Sequence, residues 1–139
     1  MKPYLVLLSF ALAGALSWGQ SPQSSDDLLA GQLFAPELVM QYSQEIQLTP
    51  DQSKAIKDEI QKAQAKFLDM QWEMQLEKEK LVLLLKAQPV DERAALVQVD
   101  KLLDRERDIN KTQISLLIRI KNQLSPAQQN KLMELRRKP

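Results

Sequence analysis

Between residues 50 and 122 the chain sets apolar side chains at alternating steps of four and three, with few residues that would interrupt a helix. In the first half the alternation runs through Ile56, Ile60, Ala63, Phe67, Met70, Met74, Glu77, Leu81 and Leu84, and Glu77 is its one polar member. This spacing lines up one face of a helix and reads as a coiled-coil seam. A second seam follows through Ala95, Val99, Leu102, Glu106, Ile109, Gln113, Leu116 and Ile120, and its middle is polar. Pro89 separates the two, because proline clashes with the preceding turn and disfavours helix in the residue before it. The pattern predicts one helix over 50–87 and a return helix to 122, capped by Gln88 or Asp91. The short connection forces the two to lie antiparallel. The outgoing helix of about 38 residues would reach ~57 Å at 1.5 Å per residue.

Shorter elements flank this hairpin. Pro36 opens a helix over about 36–44 that offers Leu38, Val39, Tyr42 and Ile46 for burial, and a last helix is expected over 126–136. Alternating β-branched runs are missing, and only three glycines occur. The expected fold class is all-α: a long antiparallel helical hairpin flanked by two short helices, with the packed domain over 36–137. Ahead of it, 1–19 reads as a cleaved signal peptide. Lys2 precedes an apolar run over 4–16, and Ser17 and Gly19 suit signal-peptidase cleavage, with 13–15 as the alternative site. The run is shorter than the about 20 residues that span a bilayer. Residues 20–35 read as a flexible mature leader, with a helical turn available at 26–30.

The two seams do not match along their whole length. Folding about 88–90 sets Leu81 and Leu84 against Val97 and Ala94–Ala95, and Ile56, Ile60 and Ala63 against the 116–120 region. Both are good apolar matches. Midway, Phe67, Met70 and Met74 come level with Lys111, Asp108 and Asp104. A second apolar stripe, Ala65, Leu68, Trp72, Leu76 and Leu83, lies on the far side of the outgoing helix at 100° per residue. One partner helix cannot cover two faces. Leaving the far stripe in water forfeits about 1.5–3 kcal/mol per large side chain. Three covers are open: the flanking helices folding back, a second copy of the chain, or unfolded client proteins. Met70 and Met74 have the adaptable thioethers that suit varied partners, although a seam methionine is also ordinary core. Trp72 is the better interface anchor.

One short pattern occurs twice, as Leu48-Thr49-Pro50-Asp51-Gln52 and Leu124-Ser125-Pro126-Ala127-Gln128. Each is a helix start. Thr49 or Ser125 caps the first turn, and proline takes the first helical position, where its missing N–H costs nothing. Gln52 or Gln128 reaches back to the cap residue's N–H to close a capping box. This paired Leu-Thr/Ser-Pro-x-Gln motif in an exported helical chain resembles the LTxxQ family of periplasmic proteins. That family includes Spy- and CpxP-like chaperones and related heavy-metal-resistance and metal-sensing proteins. The resemblance covers about 36–137, and Ser125 preserves the hydroxyl where the family name has threonine. It implies a periplasmic location and a homodimer.

Composition narrows the function. The chain has 19 basic and 18 acidic residues, and loss of Lys2 with the signal would balance them. Nucleic-acid binding normally shows as a basic excess, so no nucleic-acid partner is expected. There is no histidine and no cysteine. Cys–His and Ser–His pairs are therefore unavailable, as are most transition-metal sites. No enzyme activity, metal site or cofactor is expected, and the lack of histidine weighs against the metal-sensing branch. Glu77 is expected to pair across the hairpin with Lys101 or Arg105, and 104–108 to form a solvated face with Asp104–Arg107 and Asp108–Lys111 pairs. The leading expectation is an exported, ATP-independent chaperone or envelope stress-response protein. It would bind unfolded or envelope proteins through Ala65, Leu68, Trp72, Leu76, Met70 and Met74, with Lys66, Lys78 and Arg105 adding charge. The alternatives are a regulatory or structural protein docking on an envelope sensor, or a periplasmic metal-resistance or sensing protein. No stable membrane insertion is expected after cleavage.

Overall fold

The computed structural model describes Leu29 and residues 31–138; the expected signal peptide lies outside the described residues. Among the described residues four helices with defined bounds follow in order: α1 (Pro36–Gln41), α2 (Pro50–Leu85), α3 (Glu92–Asn122) and α4 (Pro126–Arg137). Among the described residues there is no strand, so the fold is all-α. α2 and α3 pack along each other as the antiparallel hairpin, and α1 meets α4 at its open end.

Local chemistry sets each start. The Thr49 hydroxyl accepts from Gln52 N at 3.1 Å while Gln52 Oε1 accepts from Thr49 N at 3.1 Å. Ser125 and Gln128 repeat the box at 3.2 and 2.9 Å. Of the two candidates for the return helix, Asp91 is the cap, its carboxylate accepting from Ala94 N at 3.0 Å. α2 ends at Leu85, two residues before the expected 87, because Lys86 to Val90 form the turn; the Gln88–Pro89 bond within it is cis. α1 also ends early, at Gln41, but the chain continues through turns to Gln47. There Gln47 takes φ 54° and the Leu48 N–H donates to Ser43 O at 2.9 Å. Gln47 N donates to Gln44 O at 3.0 Å, which completes a Schellman-type stop with a left-handed residue. That stop turns the chain so that Leu48 faces the core and Thr49 begins α2.

The two boxes also hold each other. Gln52 Nε2 donates to Gln128 Oε1 at 2.8 Å, and Gln128 Nε2 donates to Gln52 Oε1 at 2.9 Å. The second hydrogen of each amide goes to the loop ahead of the other motif: Gln52 Nε2 reaches Gln123 O at 2.7 Å, and Gln128 Nε2 reaches Ile46 O at 3.2 Å. Each amide oxygen thus accepts twice and each amide nitrogen donates twice, which fills the inventory of a primary amide. The leucine ahead of each cap points inward, Leu124 as a core residue and Leu48 packed against the core.

That core sits at the open end. Phe34, Val39, Ile46, Ile56, Ile120, Leu124 and Leu132 form one buried cluster drawn from every helix. Each such side chain contributes about 1.5–3 kcal/mol by leaving water. Of the expected flexible leader over 20–35, residues 20–28 and 30 lie outside the described residues, and at its described end Phe34 is packed into the core. It is fully buried, and Arg136 holds its neighbourhood by donating to Leu33 O and Gly31 O, both at 2.9 Å. The guanidinium also lies 5.4 Å from the Phe34 ring centroid, within cation–π range. The packed part therefore begins about five residues ahead of Pro36. Beyond this core the hairpin is a two-helix ribbon with a thin seam.

On α2 the nine seam positions are all buried or half-buried, as the spacing predicts. On α3 the seam runs through Gln98, Arg105 and Thr112, whereas Glu106 and Gln113 are exposed, as is Val97. Neighbouring positions in each pair satisfy the heptad equally well. Contact with α2 decides between them: Arg105 reaches Glu73 at 3.1 Å and Gln98 reaches Glu77, whereas Glu106 in the seam would face carboxylates.

The clasp requires an amide although a capping box alone accepts glutamate. Gln128→Glu keeps the box acceptor but aims a carboxylate at Gln52 Oε1 and Ile46 O. We expect a loss of about 2–3 kcal/mol in urea unfolding, more than Gln128→Ala at about 1–2 kcal/mol; a Gln128→Glu chain as stable as the wild type would show that the cross-motif bonds add nothing.

Candidate functional site

Midway along the ribbon the register is set by charge. Arg119 bonds Glu59 at 3.0 Å and Arg105 bonds Glu73 at 3.1 Å, which fixes which turn of α2 faces which turn of α3. The expected pairing of Glu77 with Lys101 or Arg105 does not form. Gln98 takes that place: its Nε2 donates to both the backbone and the carboxylate of Glu77, and Lys80 adds an ion pair at 3.1 Å. Gln98 is the one buried polar side chain among the described residues, and a neutral amide avoids the desolvation cost of a second charge. Its hydrogen bond, with help from Lys80, holds the Glu77 carboxyl below the usual carboxylate range. Arg119 does the same for Glu59. On the solvated face Asp104 pairs with Arg107, while the expected Asp108–Lys111 bridge is not made.

The outer edge of α2 carries the predicted stripe in the open. Leu68 is 57 % exposed, Trp72 65 %, Leu76 54 % and Leu83 68 %, and Ala65 is exposed beside them. The flanking helices do not cover this edge, because α1 and α4 are spent on the core at the open end. Met70 and Met74 lie elsewhere: Met74 is buried in the seam and Met70 is half-buried there. The six residues named from the sequence are thus divided between an open edge and the hairpin interior. α3 has an exposed apolar edge of its own, Leu96, Leu103, Ile114 and Ile118, which the heptad reading passed over. Its signal was available in the seven- and eleven-residue intervals between them, which return a helix to nearly the same face. The hairpin tip adds exposed Val82, Leu85, Val90 and Val97.

A protein-family model described as heavy-metal resistance matches residues 5–131, most of the chain. The chain belongs to the heavy-metal-resistance family. No curated protein and no solved structure gives a significant match. The side chains of this family member do not supply the usual donor set for zinc or copper(II). The sequence has neither imidazole nor thiolate, and among the described residues no three Asp or Glu side chains converge where an ion could be held. Zinc and copper(II) sites are normally built from those groups. Among the described residues no helix is long and apolar enough to cross a membrane.

A carboxyl held low in the folded state stabilises the fold at higher pH, and that stability is lost as pH falls through the folded value. Removing Gln98 Nε2 by Gln98→Leu should move Glu77 back toward the ordinary carboxylate range. Carboxyl-carbon NMR should show Glu77 titrating at higher pH in the variant, with Glu59 unmoved. An unchanged Glu77 titration would mean that Lys80 alone sets it.

Proposed function

We propose that this chain is an exported, periplasmic chaperone or envelope stress-response protein of the heavy-metal-resistance family. In this reading it works without ATP and binds unfolded proteins through the outer edge of α2. One observation carries the reading: Leu68, Trp72 and Leu76 stand more than half exposed in a row on a rigid helix. Contiguous apolar patches of this kind mark sites of interaction, and tryptophan is the residue most enriched at binding hot spots. Lys66 and Lys78 flank the row and give it adaptable charge for varied clients. A helix edge also suits a client lacking fixed shape, because it demands no matching pocket. A second copy of the chain is the other occupant proposed for the same edge, and a homodimer would cover it when clients are absent. A carboxylate-and-amide ribbon with neither histidine nor cysteine supports resistance through protein protection more than through metal capture.

Suppression of aggregation of a denatured model protein at near-stoichiometric ratio is the expected activity. Trp72→Asp should abolish most of it while helical circular dichroism stays unchanged. A wild-type chain that suppresses nothing, or a folded variant that suppresses equally, removes the chaperone reading. In that case capture of a single stoichiometric envelope protein would favour the regulatory alternative. Light scattering with Trp72 emission on dilution separates dimer from client: a concentration-dependent blue shift places Trp72 between subunits.

A further inference from the structure

We propose that the groove between α2 and α3 near the open end binds a doubly charged tetrahedral oxyanion of the phosphate class, either free or as a lipid headgroup. The groove has a volume of about 340 Å³, and none of Leu68, Trp72 and Leu76 lines it. Lys62 and Lys66 line it from α2, and Lys111, Thr112, Ser115 and Arg119 line it from α3. Glu59 is its single carboxylate, already engaged by Arg119 at 3.0 Å and by Lys62 at 3.7 Å.

Lys66 and Lys111 have no such partner. The register that joins Glu59 to Arg119 and Glu73 to Arg105 sets these two lysines level with each other across the groove. Neither makes an ion pair or a hydrogen bond, although the neighbouring cations Arg105, Arg107 and Arg119 are all matched to carboxylates. Asp69 and Asp108 stand one turn nearer the tip and do not line the groove. Like charges lining one groove repel, and an anion among them reverses the sign of that interaction. Half-buried Thr112 and Ser115 contribute hydroxyls to the lining, and Ala63 and Leu116 contribute apolar surface. Cations, hydroxyl donors and apolar surface in one groove are complementary to a tetrahedral oxyanion, whose oxygens accept charge-assisted hydrogen bonds. The same face offers a cation no comparable set of free acceptors. This complementarity uses none of Leu68, Trp72 and Leu76, and shares only Lys66 with the client-binding reading.

Inorganic phosphate is the first probe, titrated against the full chain by phosphorus NMR at constant ionic strength with chloride as the balancing ion. We expect saturable binding that the double variant Lys66→Gln/Lys111→Gln weakens by about tenfold or more, the equivalent of ~1.4 kcal/mol. A control pair outside the groove, Lys54→Gln/Lys78→Gln, should leave affinity within about twofold, since it changes net charge equally. Circular dichroism verifies that both variants fold. Vesicles of phosphatidylcholine with and without phosphatidic acid identify the source. Groove-dependent binding to the phosphatidic acid vesicles that is tighter than to free phosphate assigns a headgroup, and none beyond free phosphate assigns the soluble ion. The proposal is overturned if both double variants weaken binding equally, if chloride reproduces the effect, or if vesicle binding survives without the two groove lysines. Trp72→Asp should not alter phosphate binding, so failure here and failure of the chaperone reading are distinguishable.

Discussion

A two-helix ribbon has one seam, and that geometry governs everything else in this molecule. Each helix can turn only one stripe toward its mate, so whatever lies on its back meets water unless a third element arrives. Here the third and fourth elements do arrive, but only at the open end, where α1 and α4 close a core around Phe34, Ile56, Ile120 and Leu132. Farther out, burial thins to the seam alone, with Ala63, Met74 and Ala95 as its buried apolar members. A chain free to place polar residues on the backs of α2 and α3 would have gained solubility at no cost to the seam. It places Leu68, Trp72, Leu76 and Leu83 on one back and Leu96 and Leu103 on the other. Folding of the hairpin does not require them there, and that is why they point to a partner.

The open end shows how so extended a shape keeps its ends together. The two motifs are chemically equivalent helix starts, and each glutamine serves three masters: its own cap, the other glutamine and the carbonyl of the opposite loop. The bonds tie the N-termini of α2 and α4 side by side, so the leucines ahead of both caps enter one core. A slip of the register at this end would break the bonds between the boxes and the core together. Farther along, Glu59–Arg119 and Glu73–Arg105 repeat the register in weaker, exposed form. The structure is thus pinned firmly at one end and guided, with less energy per turn, toward the tip.

Sequence pattern was a good guide wherever a single rule applied. Helix starts were legible because Thr-Pro and Ser-Pro followed by glutamine admit little else, and the α2 seam was legible because its residues are large and apolar. The α3 seam was not fully legible. Positions 105 and 106, or 112 and 113, are both polar and both fit the heptad, so only contact with the other helix, as of Arg105 with Glu73, selects between neighbours. Phe34 was missed for a different reason: it precedes a proline in a segment with leader-like composition, and its burial depends on Arg136, about a hundred residues away. The apolar edge was legible as a stripe on α2, but its exposure depended on where α1 and α4 would pack, which periodicity does not encode. The cross-motif bonds were likewise invisible, since a capping box explains glutamine without them.

Family membership and side-chain chemistry bear on one another here. A heavy-metal-resistance family suggests a cation ligand, yet this chain has no histidine or cysteine, and among the described residues its carboxylates do not gather in threes. What its surface concentrates is of two other kinds. Exposed aliphatic and indole groups run along the edge, and the groove gathers Lys66 and Lys111, which form no ion pair, with the hydroxyl residues Thr112 and Ser115. Neither feature is needed to hold the fold, whose stability resides in the open-end core and the amide clasp. Side chains that fold stability does not demand are free to be shaped by contact with something else. In this ribbon they separate by chemistry, apolar groups along an edge and cations around a groove, which is why we propose protection of proteins and not capture of metal.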